Sequence, residues 1–222
     1  MSEAQSRLSV VIPLYNAERW IDETIRSVVE DADQLLEVIV IDDGSTDGGP
    51  ALARAHGGLV RVVTQENRGL PAARNRGVSE ARGELVGFMD ADDIWCAGKP
   101  DPRFAAIDAG ADAAHGLVQP FFGDPREPYG EPTHGPTFQS LIARREFMLA
   151  NPLDESLAMS EDVNWFLRMR EADANLAKVE SVCFLYRQRS DSLARNREAN
   201  RRAVVEQLHA SLARRGKVGA GE

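Results

Sequence analysis

The chain has 222 residues, 35 of them acidic and 26 basic, for a formal net charge of −9; that length suits one well-packed domain, and the charge argues against nucleic acid or an anionic membrane as the main partner, because either would repel it. Its two cysteines, Cys96 and Cys183, lie far apart without CxxC spacing, so neither a disulfide framework nor a zinc site is suggested and a reducing cytosol is the expected setting. The most apolar run, Leu8 to Leu14, is far shorter than the ~20 residues needed to span a bilayer.

Along the first ninety residues, short β-type runs alternate with helix-type segments, which calls for a parallel sheet with crossover helices. Leu8 to Ile12 reads as a buried strand that Pro13 ends, and a helix over 18–30 follows from the stripe Trp20, Ile21, Thr24, Ile25, Val28 and Val29. A second strand, Glu37 to Ile41, stops at the turn and N-cap cluster 42–48, which feeds a short helix near 49–56. Leu59 to Thr64 makes a third strand, Gly69-Leu70-Pro71 opens a helix that Gly83 closes, and a fourth strand, Leu85 to Met89, runs into Asp90-Ala91-Asp92-Asp93. All four strands direct their C-terminal ends at loops rich in Asp, Gly and Asn, the side of an open α/β sheet where ligands bind.

Residues 96–135 read as a loop-rich stretch with one strand, Gly116 to Phe122, and Lys99-Pro100-Asp101-Pro102 is expected to interrupt any helix there. Beyond it the pattern predicts a short strand and helix start over 137–149, a helix over 161–171, a strand over 179–186 and a helical tail over 193–215. The eight arginines of 187–215, among them Arg187, Arg189 and Arg195, read as a solvated helical face. His56, His115, His134 and His209 lack ligand spacing, and Trp95 and Trp165 read as packing residues.

The acidic triplet is the sharpest chemical feature. Carboxylates at i and i+2, such as Asp90 and Asp92, leave an extended backbone on the same side, so both can reach one hard divalent ion, Mn²⁺ or Mg²⁺, that keeps positions for phosphate oxygens. Three neighbouring acids after a buried strand repel one another unless a cation or a basic group compensates them. A second acidic pair, Glu161-Asp162, opens a helix, where the macrodipole favours acids with or without a function.

Taken in order, Val10-Val11-Ile12-Pro13-Leu14-Tyr15-Asn16, Val40-Ile41-Asp42-Asp43-Gly44-Ser45-Thr46-Asp47, Asn67-Arg68-Gly69 with Ala73-Arg74-Asn75-Arg76-Gly77, and Phe88-Met89-Asp90-Ala91-Asp92-Asp93-Ile94-Trp95 resemble the family-2 glycosyltransferases. The likeness is dense over residues 8–95. It implies an α/β, GT-A-type, Rossmann-like open mixed sheet, mainly parallel and flanked by helices. It also implies transfer of a sugar, with inversion, from a nucleoside-diphosphate sugar, typically a UDP-sugar, to a saccharide, lipid-linked or small-molecule acceptor, assisted by Mn²⁺ or Mg²⁺. Position by position, the likeness sets Pro13 and Tyr15 against the base, Asp43 in hydrogen-bond reach of it, Arg74 near the donor phosphates and Asp90 at the ribose or the metal. It makes Asp92 a metal ligand and Asp162 the general base. Asp43, Asp42 and Asp47 are also candidate helix caps, and Arg74 a candidate for a surface salt bridge. Where the family often shows Tyr-Arg-x-His, this chain has Tyr186-Arg187-Gln188-Arg189, which bears on metal or phosphate contact from that loop.

The expected organisation is a single domain over 1–215, with a nucleotide-sugar half (8–95), an acceptor half (96–190) and a C-terminal helix (191–215), followed by a flexible tail, 216–222. The expected place is the cytoplasm, with a peripheral position at the inner membrane face left open. Two other readings stand beside the transferase. A nucleotidyltransferase needs a glycine-rich, basic first loop, which Pro13 to Glu18 is not, and a catalytically silent sugar-nucleotide-binding protein would keep the fold without the reaction.

Overall fold

In the computed structural model of the chain, residues 6–189 and 197–218 are described. Their strands are β1 (Leu8–Leu14), β2 (Leu35–Asp42), β3 (Val60–Thr64), β4 (Leu85–Phe88), β5 (Ile94–Trp95), β6 (Ala113–Phe121), β7 (Thr133–His134), β8 (Leu141–Arg144) and β9 (Leu176–Arg187). They form one mixed sheet in the order β3-β2-β1-β4-β8-β6-β9-β5, with β7 paired to β6. From β3 to β4 every ladder is parallel. β8 runs antiparallel between β4 and β6, and β9 is parallel to β6 and antiparallel to β5.

Side-chain alternation along the parallel strands divides the core between the two faces of the sheet. Val10, Ile12, Val38 and Val40 pack with Ile21, Ile25 and Val28 of α1 (Ile21–Asp31), Ala53 of α2 (Gly49–Ala55) and Phe104 and Ile107 of α4 (Pro102–Asp108). Val11, Ile39, Ile41, Val86 and Phe88 face the other way, toward Ala73 and Val78 of α3 (Leu70–Glu80), Met148 of α5 (Arg145–Ala150) and Trp165 and Met169 of α6 (Glu161–Glu171). Both faces being covered explains why these strands read as continuous apolar runs. Helix α3 lies so close on β1 that a Cβ at Gly77 would stand 2.2 Å from Val11 Cγ1. Only glycine admits that approach, which holds the N-terminus of α3 beside the ends of β1 and β4.

Several boundaries differ from the sequence reading, each for a physical reason. Strand β1 passes through Pro13 to Leu14, because Pro13 shares the side of Val11, whose carbonyl accepts from Met89. β4 has ended by that point, so the missing N–H leaves no ladder bond unmade. The Pro-rich stretch starts a helix instead of forbidding one: Pro102 opens α4, and Asp101 caps it by accepting from Arg103 N. That cap also forms a fully buried ion pair, Asp101 Oδ2 to Arg103 Nη2 at 2.6 Å, with the guanidinium 4.7 Å from the Trp95 ring centroid.

Helix α6 spans the residues the spacing predicts, and Trp95 and Trp165 are buried packing residues. Helix α7 (Arg197–Val218) continues three residues past the expected end at Arg215; the expected start at Leu193, Arg195 and the last four tail residues, 219–222, lie outside the described residues. It docks on α6 through polar contacts, Asn164 Nδ2 to Gln207 Oε1 at 2.8 Å and Arg214 Nε to Glu171 Oε2 at 2.7 Å. Among the described residues no helix is long and apolar enough to cross a membrane.

Candidate active site

The site is built where β1, β2 and β4 end side by side. Two loops there are tied to each other through main-chain groups: Asn16 Oδ1 accepts from Thr46 N at 2.8 Å, and Asp47 Oδ2 from Glu18 N at 2.8 Å. Asp42 accepts from Ser45 N, turning the chain at Gly44, whose φ of +77° suits glycine. Asp47 Oδ1 also bonds Gly49 N at the start of α2, so Asp47 performs the capping at this helix. Asp43 reaches further, accepting from Arg68 N, Gly69 N and Gln65 Nε2 and holding the lead-in to α3. Together these loops border a cavity of about 460 Å³ that Pro13, Tyr15, Asp43, Asp90, Asp92 and Arg189 help to line. Five of the seven residues singled out in the sequence thus meet at one opening; Arg74 and Asp162 stand outside its lining.

Within the acidic triplet each acid meets an arginine. Arg74, 2% exposed, gives Nη2 to Asp90 Oδ1 at 2.9 Å and Nη1 to Glu161 Oε1 at 2.7 Å. Gln139 Nε2 donates to the other Asp90 oxygen, so both are engaged. Arg189 Nε stands 3.2 Å from Asp92 Oδ2. Arg187 donates its main-chain N–H to Asp93 Oδ1 at 2.8 Å and Nε to the Asp92 carbonyl at 2.7 Å. The mutual repulsion of the acids is therefore met by basic groups of the chain itself. It is met incompletely: burial, and then the Asp90 charge, raise the pKa of Asp92, and burial followed by Asp92 and Asp90 raises that of Asp93 well above the usual carboxylate range. Asp93 Oδ2 is buried with no hydrogen-bond partner.

The arginine bracket carries the site across to α6. Ser160, at a left-handed φ of +60°, turns the chain into this helix, and Glu161 and Asp162 form its first turn. Burial, then the charge of Glu161, lifts the Asp162 carboxyl to about 6, against the lowering influence of Arg74 and of the Val163 N–H. Burial opposes the charge on Arg74, but Asp90, Glu161 and Asp162 outweigh it and raise its pKa. Removing one member of a buried ion network leaves the others uncompensated. Arg74→Met is accordingly expected to lower the unfolding free energy at pH 7 by about 3 kcal/mol, with Arg74→Lys between it and wild type in urea titrations. A native-like midpoint for Arg74→Met would remove the bracket from the account of the site.

The model of glycosyl transferase family 2 matches residues 9–192. The chain belongs to that family. Among the proteins it is similar to are the putative glycosyltransferase EpsH of Bacillus subtilis, 36% identical over 89 residues that make up 39% of this chain and 26% of that protein, and the glycosyltransferase GlyG of Streptococcus pneumoniae, 40% identical over 91 residues, 39% of this chain and 30% of that protein. The matched segment thus spans under a third of these relatives' length. In fold, the chain is similar to Staphylococcus aureus TarS 1–349 in complex with UDP-GlcNAc (TM-score 0.69, 21% identity, 86% of this chain and 61% of that one). It is also similar to the mannosyltransferase PcManGT of Pyrobaculum calidifontis in complex with GDP-Man and Mn²⁺ (TM-score 0.71, 20% identity, 94% and 65%). The GT-A sheet read from the motifs is the sheet observed.

The roles of four residues at this candidate site go beyond the sequence reading, which marked Arg189 at the Tyr-Arg-x-His position and Glu161 in the second acidic pair. Arg187 and Arg189 belong to the run expected on a solvated helical face; instead Arg187 is a buried β9 residue set between the Trp20 and Phe121 rings, and Arg189 faces the acids. Their i, i+2 spacing at the end of an apolar strand is a second signal beside the Tyr186-Arg187-Gln188-Arg189 motif. Gln139 and Glu161 act through Asp90 and Arg74, partners that only the tertiary fold brings near. The histidines stay outside the cavity lining, His115 packing edge-on against His134. Among the described residues no cluster of three or more His, Cys, Asp or Glu side chains could hold a metal by itself. The donor set nonetheless fits an ion of the Mg²⁺ or Mn²⁺ type, which one or two carboxylates and substrate phosphates can hold: Asp92 faces the cavity with its charge incompletely compensated.

Proposed function

We propose that the chain is an inverting glycosyltransferase that takes a nucleoside-diphosphate sugar into the 460 Å³ cavity and passes the sugar to an acceptor hydroxyl. The single observation that carries this reading is the juxtaposition of a cavity-facing, under-compensated Asp92 with a helix-borne Asp162 whose pKa lies near 6, the two joined through Asp90, Arg74 and Glu161. Pro13 and Tyr15, with Tyr15 54% exposed at the rim, would form the wall against which the base lies. Asp43 would accept an N–H of that base. Asp90, held by Arg74 and Gln139, has its orientation fixed and would meet the ribose side of the donor. Asp92 would hold Mn²⁺ or Mg²⁺, and Asp90 would support it; such an ion, when bound, supplies Lewis-acid stabilisation of a departing diphosphate. Asp162 would accept the proton of the acceptor hydroxyl, the role that a carboxylate titrating near neutrality suits. A single displacement with one base inverts the anomeric centre. Arg74, with both its Nη groups on carboxylates, acts in this reading by positioning Asp90 and Glu161.

In this reading the second half of the chain would form the acceptor side; the relatives' names print glycosyltransferase and no acceptor. Calorimetry of UDP-, GDP- and dTDP-sugars with Mn²⁺ tests the reading. One of them is expected to bind with a Kd between about 1 μM and 1 mM, the usual range for enzyme substrates, and to lose its sugar to water or to an added acceptor. Absence of binding by all three in a folded sample overturns the reading. Binding without turnover in any acceptor mixture marks the silent alternative, and pyrophosphate release from a nucleoside triphosphate and a sugar phosphate marks the nucleotidyltransferase.

A further inference from the structure

We propose that the groove between α6, α7 and the paired strands β6 and β9 is the acceptor subsite, and that the acceptor is an anionic amphiphile: a hydroxyl at Asp162, an apolar body in the groove and an acidic group at the far end. The inference rests on the sugar-nucleotide reading and names the class of acceptor for it.

Asp162, the base of that reading, stands outside the lining of the donor cavity. The chain nevertheless carries it from one opening to another. Ala158 lines the donor cavity, and Val163, just beyond Asp162, lines a second and larger hollow of about 770 Å³. Another segment makes the same passage: Pro136 borders the hollow, and Gln139, one turn of chain later, holds Asp90. Phe166 stands at i+4 from Asp162 on α6, so it shares the helix face of the base one turn along, and it too lines the hollow. The groove therefore begins at the turn that bears Asp162 and follows α6 from Val163 to Arg170, a run of about 10 Å at the helical rise.

Its walls are apolar. Val163, Phe166, Leu167 and Leu176 are half-buried, and Leu208 of α7 is 44% exposed. The buried polar member of the lining is His115, 7% exposed, with Nδ1 lacking a hydrogen-bond partner. Burial, then His134 and Lys178, push its pKa down to about 4, so the ring adds no charge at neutral pH. A saccharide body would bury hydroxyls against such walls without partners, whereas a hydrocarbon body gains by leaving water.

Charge selects the far end. Arg170, in the last turn of α6, and Lys178, near the start of the strand whose other end bears Arg187, are exposed at the border of the groove, away from the acids of the site. Glu180, on the same strand as Lys178, has Oε1 on His134 Nε2 at 3.1 Å. A carboxylate or phosphate carried by the acceptor meets both cations there in charge-assisted contacts. In the transfer, the acceptor oxygen gives its proton to Asp162 and bonds to the anomeric carbon. The bond from that carbon to the diphosphate oxygen breaks, and its electron pair leaves with the nucleoside diphosphate.

The test uses ω-hydroxy acids of four, eight and twelve carbons, and dodecane-1,12-diol, as acceptor probes with whichever sugar nucleotide binds, the product being followed by mass spectrometry. Across the acids kcat/KM is expected to rise about fourfold for each methylene buried, and 12-hydroxydodecanoate is expected to exceed the diol about tenfold. Leu208→Gln should flatten the dependence on chain length, and Lys178→Gln should erase the preference for the acid. Thermal melts report folding, and Leu167→Gln stands in if Leu208→Gln unfolds. Equal kcat/KM for four and twelve carbons overturns the apolar body, and equal kcat/KM for acid and diol overturns the anionic end. A length dependence that persists in the folded groove variants places the chain elsewhere and overturns the groove. Sedimentation as a dimer that Leu208→Gln dissociates gives the groove to a second copy of this chain, which also overturns the proposal. If wild type binds no sugar nucleotide, the sugar-nucleotide reading has failed; if it binds and hydrolyses one but glycosylates no hydroxy acid, the acceptor inference alone has failed.

Discussion

Asp162→Asn is expected to lower the rate of sugar transfer by about 10³-fold, within the range a positioned general base contributes, while leaving sugar-nucleotide affinity within about twofold of wild type. The amide keeps the volume of the side chain and its place at the start of α6 but cannot take a proton. Wild-type transfer should also fall on the acid side with an apparent pKa near 6, the value to which burial and Glu161 lift this carboxyl. Below that pH the base is already protonated, and the rate drops about tenfold per unit. The same shift has a stability counterpart of defined sign. Because the folded pKa is raised above the ordinary 3.8, folding favours the protonated form, and stability is lost as pH rises from about 4 through about 6. Asp162→Asn should therefore melt above wild type at pH 8, with the difference closing as the pH is lowered through 6. Steady-state kinetics across pH, together with melts at pH 5 and 8, check both halves. A variant that transfers sugar at the wild-type rate would remove Asp162 from the reaction.

EDTA, or Asp92→Asn, is expected to lower transfer by about 10²-fold or more, the scale of stabilisation lost when a charge-stabilising group leaves a reaction site. Resupplying the ion separates the two treatments. Added Mn²⁺ should restore the EDTA-treated wild type and should leave Asp92→Asn low. The substitution should not destabilise the fold, since burial and the neighbouring Asp90 already disfavour the ionised form of Asp92. A melting temperature at or above that of wild type, combined with lost metal response in a donor-hydrolysis assay, is the expected pair of results. Full activity in EDTA would take the ion out of the proposal.

How much of the fold and the site is legible in the sequence depends on the range of the interactions involved. The parallel half of the sheet, β1 to β4, is written in continuous apolar runs separated by turn clusters, and α6 in its own periodicity, because local spacing and two-sided burial determine both. Helix α4 is hidden because Pro102 reads as a breaker. The first turn of a helix has no need of that N–H, and Asp101 supplies the cap. The acids of the site are visible because they are adjacent in sequence. Their compensation is not: Arg74 meets Glu161 across 87 residues and Arg187 meets Asp93 across 94, and nothing local in an arginine distinguishes a buried bracket from a solvated face. The sequence admits either a cation or a basic group as the offset to the triplet, and the fold supplies basic groups from separate segments, one on α3 and another at the end of β9.

Asp43 bears on how narrowly this pocket could select a nucleobase. A carboxylate offers about four lone-pair directions, and here Gln65 and the main chain at Arg68 and Gly69 occupy three of them. A single direction on Oδ2 stays open for an incoming ligand. In the proposed reading, recognition at that point would reduce to whether one N–H stands at one spot, a base with a lone acceptor there would be refused, and the rest of any preference among uracil, guanine and thymine would have to come from the shape of the wall proposed for Pro13 and Tyr15.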